Sequence, residues 1–138
     1  MMRDSATCQE NHERFIRRVV ESEIVWGLSS DHGFADCESN ESDRTVLVFW
    51  SDRGYASRVR QQSYPDYEPS EISLFDFLFR WLPGMEKDKL LVGTNWTGDL
   101  VGLEFEPRTL EEEIITAMPR ERLQAYKAQL TDELKRQT

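Results

Sequence analysis

Residues 45–50 read Thr-Val-Leu-Val-Phe-Trp, and Ser-Asp-Arg-Gly follows at once. A short, nearly continuous run of β-branched and aromatic residues predicts a strand buried on both faces. Such a strand must lie inside a sheet with a packed layer on each side, so this run constrains the fold more than any other segment. Its abrupt polar end raises the question of what Ser51 does. Its hydroxyl can cap a following helix, and Asp52 complements the positive helix end. Tyr55, Ala56 and Val59 then supply the buried stripe of that helix.

The flanking segments fill in the layers. Thr7 and Glu10 have capping-box spacing, with Asn11 a competing cap, and they predict a helix beginning near Thr7. Phe15, Ile16, Val19 and Val20 form its apolar stripe, and Arg14, Arg17 and Arg18 sit mostly off it. After Ser22 the period changes. Ile24, Trp26 and Leu28 alternate as in a strand, residues 29–33 make a turn, and Phe34 to Glu38 return antiparallel. Residues 39–43 and the proline-containing stretch 63–71 read as loops. Ser73 caps a helix whose face is Leu74, Phe77, Leu78, Trp81 and Leu82, ending at Pro83-Gly84. Leu90 to Thr94 and Leu100 to Phe105 form a second hairpin across residues 95–99, with Gly93, Gly98 and Gly102 serving turns and close strand packing. Pro107 breaks that strand, and Thr109 with Glu112 opens a helix through Met118. Pro119 starts a last helix with a thin stripe of Leu123, Tyr126, Leu130 and Leu134.

The order α-β-β-β-α-α-β-β-α-α predicts an α+β fold: a roughly five-stranded, mainly antiparallel sheet built from two hairpin units, with helices packed on it. The length of 138 residues predicts a single domain over 1–138. The helix over 119–138 is its most peripheral piece, free to dock on the domain, to mediate self-association or to fray.

Charge narrows the partners. A net charge of −9 opposes nucleic acid and anionic membranes and favours a protein partner with a basic surface. No apolar run approaches the roughly 20 residues that span a bilayer, and the polar N-terminus lacks the apolar core of a secretion signal. Cys8 and Cys37 fit no paired framework, which points to a reducing, cytoplasmic compartment. Among reactive groups, His12, His32 and Cys37 lack metal-ligand spacing. Asp31, Asp36 and Glu38 would raise the Cys37 pKa. Ser51 lies in no nucleophile elbow, and the scattered glycines form no phosphate cradle. No metal or cofactor is implied, and the residues lean away from an enzyme.

What remains is a candidate binding patch of Trp50, Asp52, Arg53, Tyr55, Asn95 and Trp96. These six share one end of the sheet if the second hairpin lies beside the 45–50 strand. Joint exposure of Trp50, Arg53 and Trp96 would make an interaction hot spot. Otherwise the tryptophans plug the sheet's end, and Arg53 pairs with Asp52 or a neighbour. Two functions stay open. One is a non-enzymatic interaction module of adaptor, regulatory or immunity type. The other is a small-ligand-binding protein or enzyme with a pocket near Trp50, Arg53 and Asn95.

Four stretches, "VWGLSSDHGFADC", "VLVFWSDRGYA", "ISLFDFLFRWLPGMEKDKLLVGTNW" and "VGLEFEP", occur in order and resemble the bacterial domain of unknown function 2750 family. The resemblance spans roughly Phe15 to Leu110. It carries over Trp26, Gly33, Phe49, Trp50, Ala56, Phe77, Leu78, Trp81, Leu82, Pro83, Gly93, Asn95, Trp96 and Glu106 as positions this family fills. The chain departs from the pattern at Val48, where proline is expected. The resemblance implies a shared fold and brings no reaction with it.

Overall fold

A computed structural model describes residues 5–39 and 41–137. The predicted loop over 39–43 therefore includes one position, Asn40, outside the described residues. The elements are α1 (Ser5–Ser22), β1 (Ile24–Ser30), β2 (Gly33–Phe34), β3 (Asp36–Glu38), β4 (Thr45–Phe49), α2 (Arg53–Ser63) and β5 (Glu68–Ser73). They continue as α3 (Leu74–Asp76), a π-helical stretch (Phe77–Trp81), α4 (Leu82–Lys87), β6 (Leu91–Thr94), β7 (Leu103–Phe105), α5 (Pro107–Ala117) and α6 (Arg120–Arg136). The class is α+β as predicted. Among the described residues the strands form two sheets rather than one, ordered β2-β1-β5 and β3-β4-β6-β7.

The strand at 45–50 holds the central place expected of it. β4 lies between β3, antiparallel, and β6, parallel in the register Val46 to Leu91 through Phe49 to Thr94. Its side chains alternate between two apolar clusters. Phe49 packs with Phe15, Val19, Val25, Phe77, Leu78, Leu110 and Ile114, while Val46, Val48 and Trp50 pack with Leu28, Ala56, Val59, Leu91 and Trp96. At Val48 the backbone N–H makes only a long hydrogen bond, 3.4 Å, to Ala35 O. A proline there would therefore forfeit little of the ladder.

The two sheets meet where one strand changes partners. Phe34 pairs with Ser29 of β1, and Asp36 pairs with Leu47 of β4. Between them the Ala35 N–H donates to Leu28 O and the Ala35 carbonyl accepts from Val48 N. The Phe34 to Glu38 strand of the sequence is therefore two short strands hinged at Ala35. A second seam lies opposite, where Trp26 and Trp50 exchange backbone hydrogen bonds of 2.8 and 2.7 Å. Gly33 closes the turn with φ +109°, the left-handed geometry that glycine allows.

Three further expectations are corrected. Residues 68–71, the end of the predicted loop, belong to strand β5, paired antiparallel with β1 from Ile24–Ser73 to Ser29–Glu68. Pro69 is tolerated because β5 is an edge strand. Pro83-Gly84 does not end the helix that Ser73 caps through the Asp76 N–H. The Leu82 N–H instead bonds to Phe77 O, five residues back, and the helix continues to Lys87. Proline has no N–H to give and crowds the carbonyl four residues back, so a wider turn ahead of it lets the chain stay helical. Finally, Thr109 and Glu112 form no capping box. Pro107 is the first residue of α5, where a missing N–H costs nothing, and Glu106 sits at the N-cap with its carboxylate bonded to Arg44 rather than to an amide of the helix.

The last helix docks on the domain. Tyr126 is buried against Phe75 and Phe79, and its hydroxyl bonds to Glu23. Leu123 and Leu130 pack on the same cluster, which leaves Leu134 as the large apolar side chain exposed among the described residues.

Close packing at Trp96 yields a paired prediction. A methyl group at Gly102 would fall 2.3 Å from the Trp96 indole, and Gly93 crowds the same ring at 2.6 Å. Gly102→Ala should lower the unfolding free energy by about 2 kcal/mol or more. Gly84→Ala, in an open helical position, should raise it by about 0.5–1 kcal/mol. Urea denaturation of the two variants measures both.

Candidate functional site

The parallel β4–β6 pair ends in a buried polar node. Asn95 follows the last residue of β6 with φ +49°, a left-handed conformation that asparagine tolerates better than most residues. Its N–H extends the pairing by donating to Phe49 O at 2.9 Å. That geometry turns its amide inward and makes three ties. Oδ1 accepts from the Ser51 N–H at 2.9 Å, while Nδ2 donates to Ser51 Oγ at 3.0 Å and to Asn11 O of α1 at 3.1 Å. The Tyr55 hydroxyl of α2 donates to the Asn95 carbonyl at 3.1 Å. One residue thus joins two strands and two helices.

The tryptophans complete this node. Trp50 Nε1–H donates to Trp96 O at 2.9 Å, and Trp96 Nε1–H donates to Leu103 O at 2.7 Å. Both rings are buried, at 0% and 1% exposure, so Trp50, Arg53 and Trp96 are not exposed together. The structural alternative holds for the two tryptophans, which plug the end of the sheet. Of the six candidate residues, Trp50, Asn95 and Trp96 lie inside and Asp52, Arg53 and Tyr55 reach the surface. Asp52 pairs with Arg18 at 3.0 Å rather than with Arg53, whose guanidinium lies over the Trp26 ring at 5.9 Å.

Ser51 is not the helix cap. The N-cap of α2 is Asp52, and its side chain bonds to no amide of the first turn. Ser51 is buried, with its amide and hydroxyl both engaged by Asn95, and its hydroxyl donates to Asp52 Oδ2 at 2.8 Å. Local sequence pointed to a cap because a serine before a helical stripe suits that role; the competing partner comes from 44 residues away.

Beside this node lies a second constellation that sequence spacing did not indicate. His12 Nδ1 is 2.8 Å from Thr94 Oγ1, and its Nε2 lies 2.8 and 3.0 Å from the two Glu113 oxygens. The carboxylate can only accept, so Nε2 is a donating nitrogen, and in the neutral tautomer Nδ1 accepts from the Thr94 hydroxyl. A hydroxyl, an imidazole and a carboxylate in series resemble a nucleophile with its base and orienting acid. Burial argues otherwise. Thr94 and His12 are 1% and 2% exposed, and Phe105 packs on the imidazole at 4.3 Å. This chain of bonds ties α1 to β6 and α5. Its members are 82 and 101 residues apart, and no local pattern could have revealed it.

Cys37 lies on β3. Burial, then Asp36, Glu104 and Glu38, push its thiol up to about 11. Tyr64 is pushed up to about 12, first by burial and then by Cys37, Asp36 and Tyr67. Among the described residues no three His, Cys, Asp or Glu side chains are grouped to hold a metal ion, and no helix is long and apolar enough to cross a membrane.

Comparison with known proteins completes the picture. The model of a family described as protein of unknown function (DUF2750) matches residues 12–114, and the chain belongs to that family. No curated protein matches it.

Three outcomes test the node and the thiol. Asn95→Ala removes three hydrogen bonds and leaves the buried Ser51 amide without a partner. Stability in urea should fall by about 3 kcal/mol, against less than about 1.5 kcal/mol for Ser51→Ala. With its thiol raised from 9.0 to about 11, Cys37 should alkylate at pH 8 about 100-fold more slowly in the folded than in the unfolded protein. The stability linked to it is complete below pH 9 and is lost as pH rises from 9 to 11. A Cys37→Ala variant should show a shallower decline over that window.

Proposed function

We propose that this DUF2750 protein is a non-enzymatic interaction module of adaptor, regulatory or immunity type. The observation that carries this proposal is the burial of the groups chemistry would need. Ser51 and Asn95 are satisfied by each other, Asp52 and the backbone, and Thr94 and His12 by each other and Glu113; among the described residues no buried side-chain polar atom lacks a partner. A site built for catalysis keeps a reactive group within reach of substrate; here the polar residues serve as joints. The field of a chain with net charge −9 favours a protein partner with a basic surface, and attraction of that kind acts chiefly on the rate of encounter. Asp52, Arg53 and Tyr55 are the members of the candidate patch that a partner could touch.

A second function has one observation in its favour. A cavity of about 260 Å³ lies at this end of the molecule, lined by Arg14, Arg18, Asp52, Gly54, Tyr55 and Arg58. Neither Trp50 nor Asn95 lines it, so a ligand there would meet α1 and α2 and not the strand ends.

Affinity capture from the native host at low and moderate salt tests the interaction role. A protein recovered at one-to-one stoichiometry, released as salt rises and bound at least tenfold more weakly by Arg53→Ala, is the expected result. Absence of a stoichiometric partner at either salt, or equal binding by the variant, overturns it.

A further inference from the structure

We propose that the cavity between α1 and the start of α2 is a binding site for the phosphate group of a small anionic ligand. Three arginines from two helices converge there, Arg14 and Arg18 from α1 and Arg58 from α2, with Asp52 the one carboxylate in the lining. Asp52 is already engaged, by Arg18 at Oδ1 and by the Ser51 hydroxyl at Oδ2. Among the described residues, no carboxylate pairs with Arg14 or Arg58. Both guanidinium groups lie instead over the single ring of Tyr55, at 5.5 and 5.6 Å from its centroid. Arg14 has one further, uncharged partner, donating from Nη2 to Asn11 Oδ1 at 3.3 Å. In a chain with 26 acidic and 17 basic residues, two neighbouring arginines without a carboxylate partner among the described residues are the opposite of what composition favours.

The backbone sharpens the mismatch. The positive end of α2 opens here, its first turn contains no acidic residue, and the Asp52 side chain caps no amide. Arg58 reaches back over that end, its Nη1 lying 3.6 Å from where a Cβ on Gly54 would be. A cation at the positive end of a helix is unfavourable, and like charges around one ring repel one another. A bound dianion would reverse the sign of both terms. Arginine forks match phosphate oxygens two at a time, and Gly54, without a side chain, leaves its backbone open to close approach. The volume of about 260 Å³ falls just short of the usual range for sites that enclose drug-sized ligands. It suits a phosphate with a few attached atoms. A small anion needs no protein partner to bind here, so the site stands apart from the interaction role.

The test is a titration of the intact, isotope-labelled protein with sodium phosphate at constant ionic strength, followed by amide and arginine side-chain resonances. Saturable shifts at Gly54, Tyr55 and the Arg58 side chain are expected. Arg14→Ala with Arg58→Ala should weaken binding at least tenfold, and Arg17→Ala, an exposed arginine of α1 outside the cavity lining, should leave it unchanged. Should the double variant not fold, Arg58→Gln on its exposed side chain gives the same comparison. Glycerol 3-phosphate in a parallel titration separates sources. Tighter binding than inorganic phosphate assigns the site to an ester, and weaker binding assigns it to the free ion. No saturable shift, equal shifts with chloride, or equal affinity in the arginine variants overturns the proposal.

Discussion

At the end of β6 the chain must stop pairing with β4, reverse, and still satisfy the backbone groups it leaves behind. The Asn95 side chain meets that constraint. In the left-handed conformation it gives its own N–H to Phe49 O while its amide covers Ser51 and the Asn11 carbonyl. Buried polar groups are costly unless paired, and here pairing fixes the relative positions of β4, β6 and α1. Tyr55 adds α2 through the Asn95 carbonyl, and His12 adds α5 through Thr94 and Glu113. The apolar clusters supply most of the driving force for folding, but they are non-directional. The polar joints select one arrangement of helices over that core.

The aromatic residues at the same end belong to this frame. Trp96 lies between Gly93 and Gly102, both of which a methyl group would turn into clashes, and it receives Trp50 Nε1–H on its carbonyl. An indole fits a strand end well because its body packs while its single N–H needs only one acceptor. The Trp26–Trp50 bridge then joins the two sheets at the same level. Residues that drew notice as binding groups thus hold the surface in place from beneath. The surface itself is made of charged side chains on α1 and α2.

Much of the fold was legible in local pattern. The double-faced strand at 45–50, the Ser73 cap, the turn at Gly33 and the hairpin around residues 95–99 follow from hydrophobic period and turn chemistry. β5 is not legible locally because Glu-Pro-Ser-Glu-Ile-Ser has little apolar content, and its pairing with β1 is supplied by the partner strand. Pro83 reads locally as a stop because a proline normally ends a helix; the wider π-helical turn ahead of it lets the helix continue to Lys87. The candidate patch was half legible. Proximity of Trp50, Asn95 and Trp96 hung on the second hairpin lying beside the 45–50 strand, which the β4–β6 pairing supplies, and burial was not legible, since it depends on which layers cover that end.

The sequence by itself determined the α+β class, the central strand and the acidic field, because period, turn residues and charge act over a few positions or over the whole chain. Tertiary structure alone decided that Ser51 is a joint and not a cap, that His12 meets Thr94 and Glu113, and that Arg14, Arg18 and Arg58 share one cavity. Each of these rests on contacts between residues from 40 to about 100 positions apart. Which distant groups meet is set by the packing of whole elements, and no spacing along the chain encodes it.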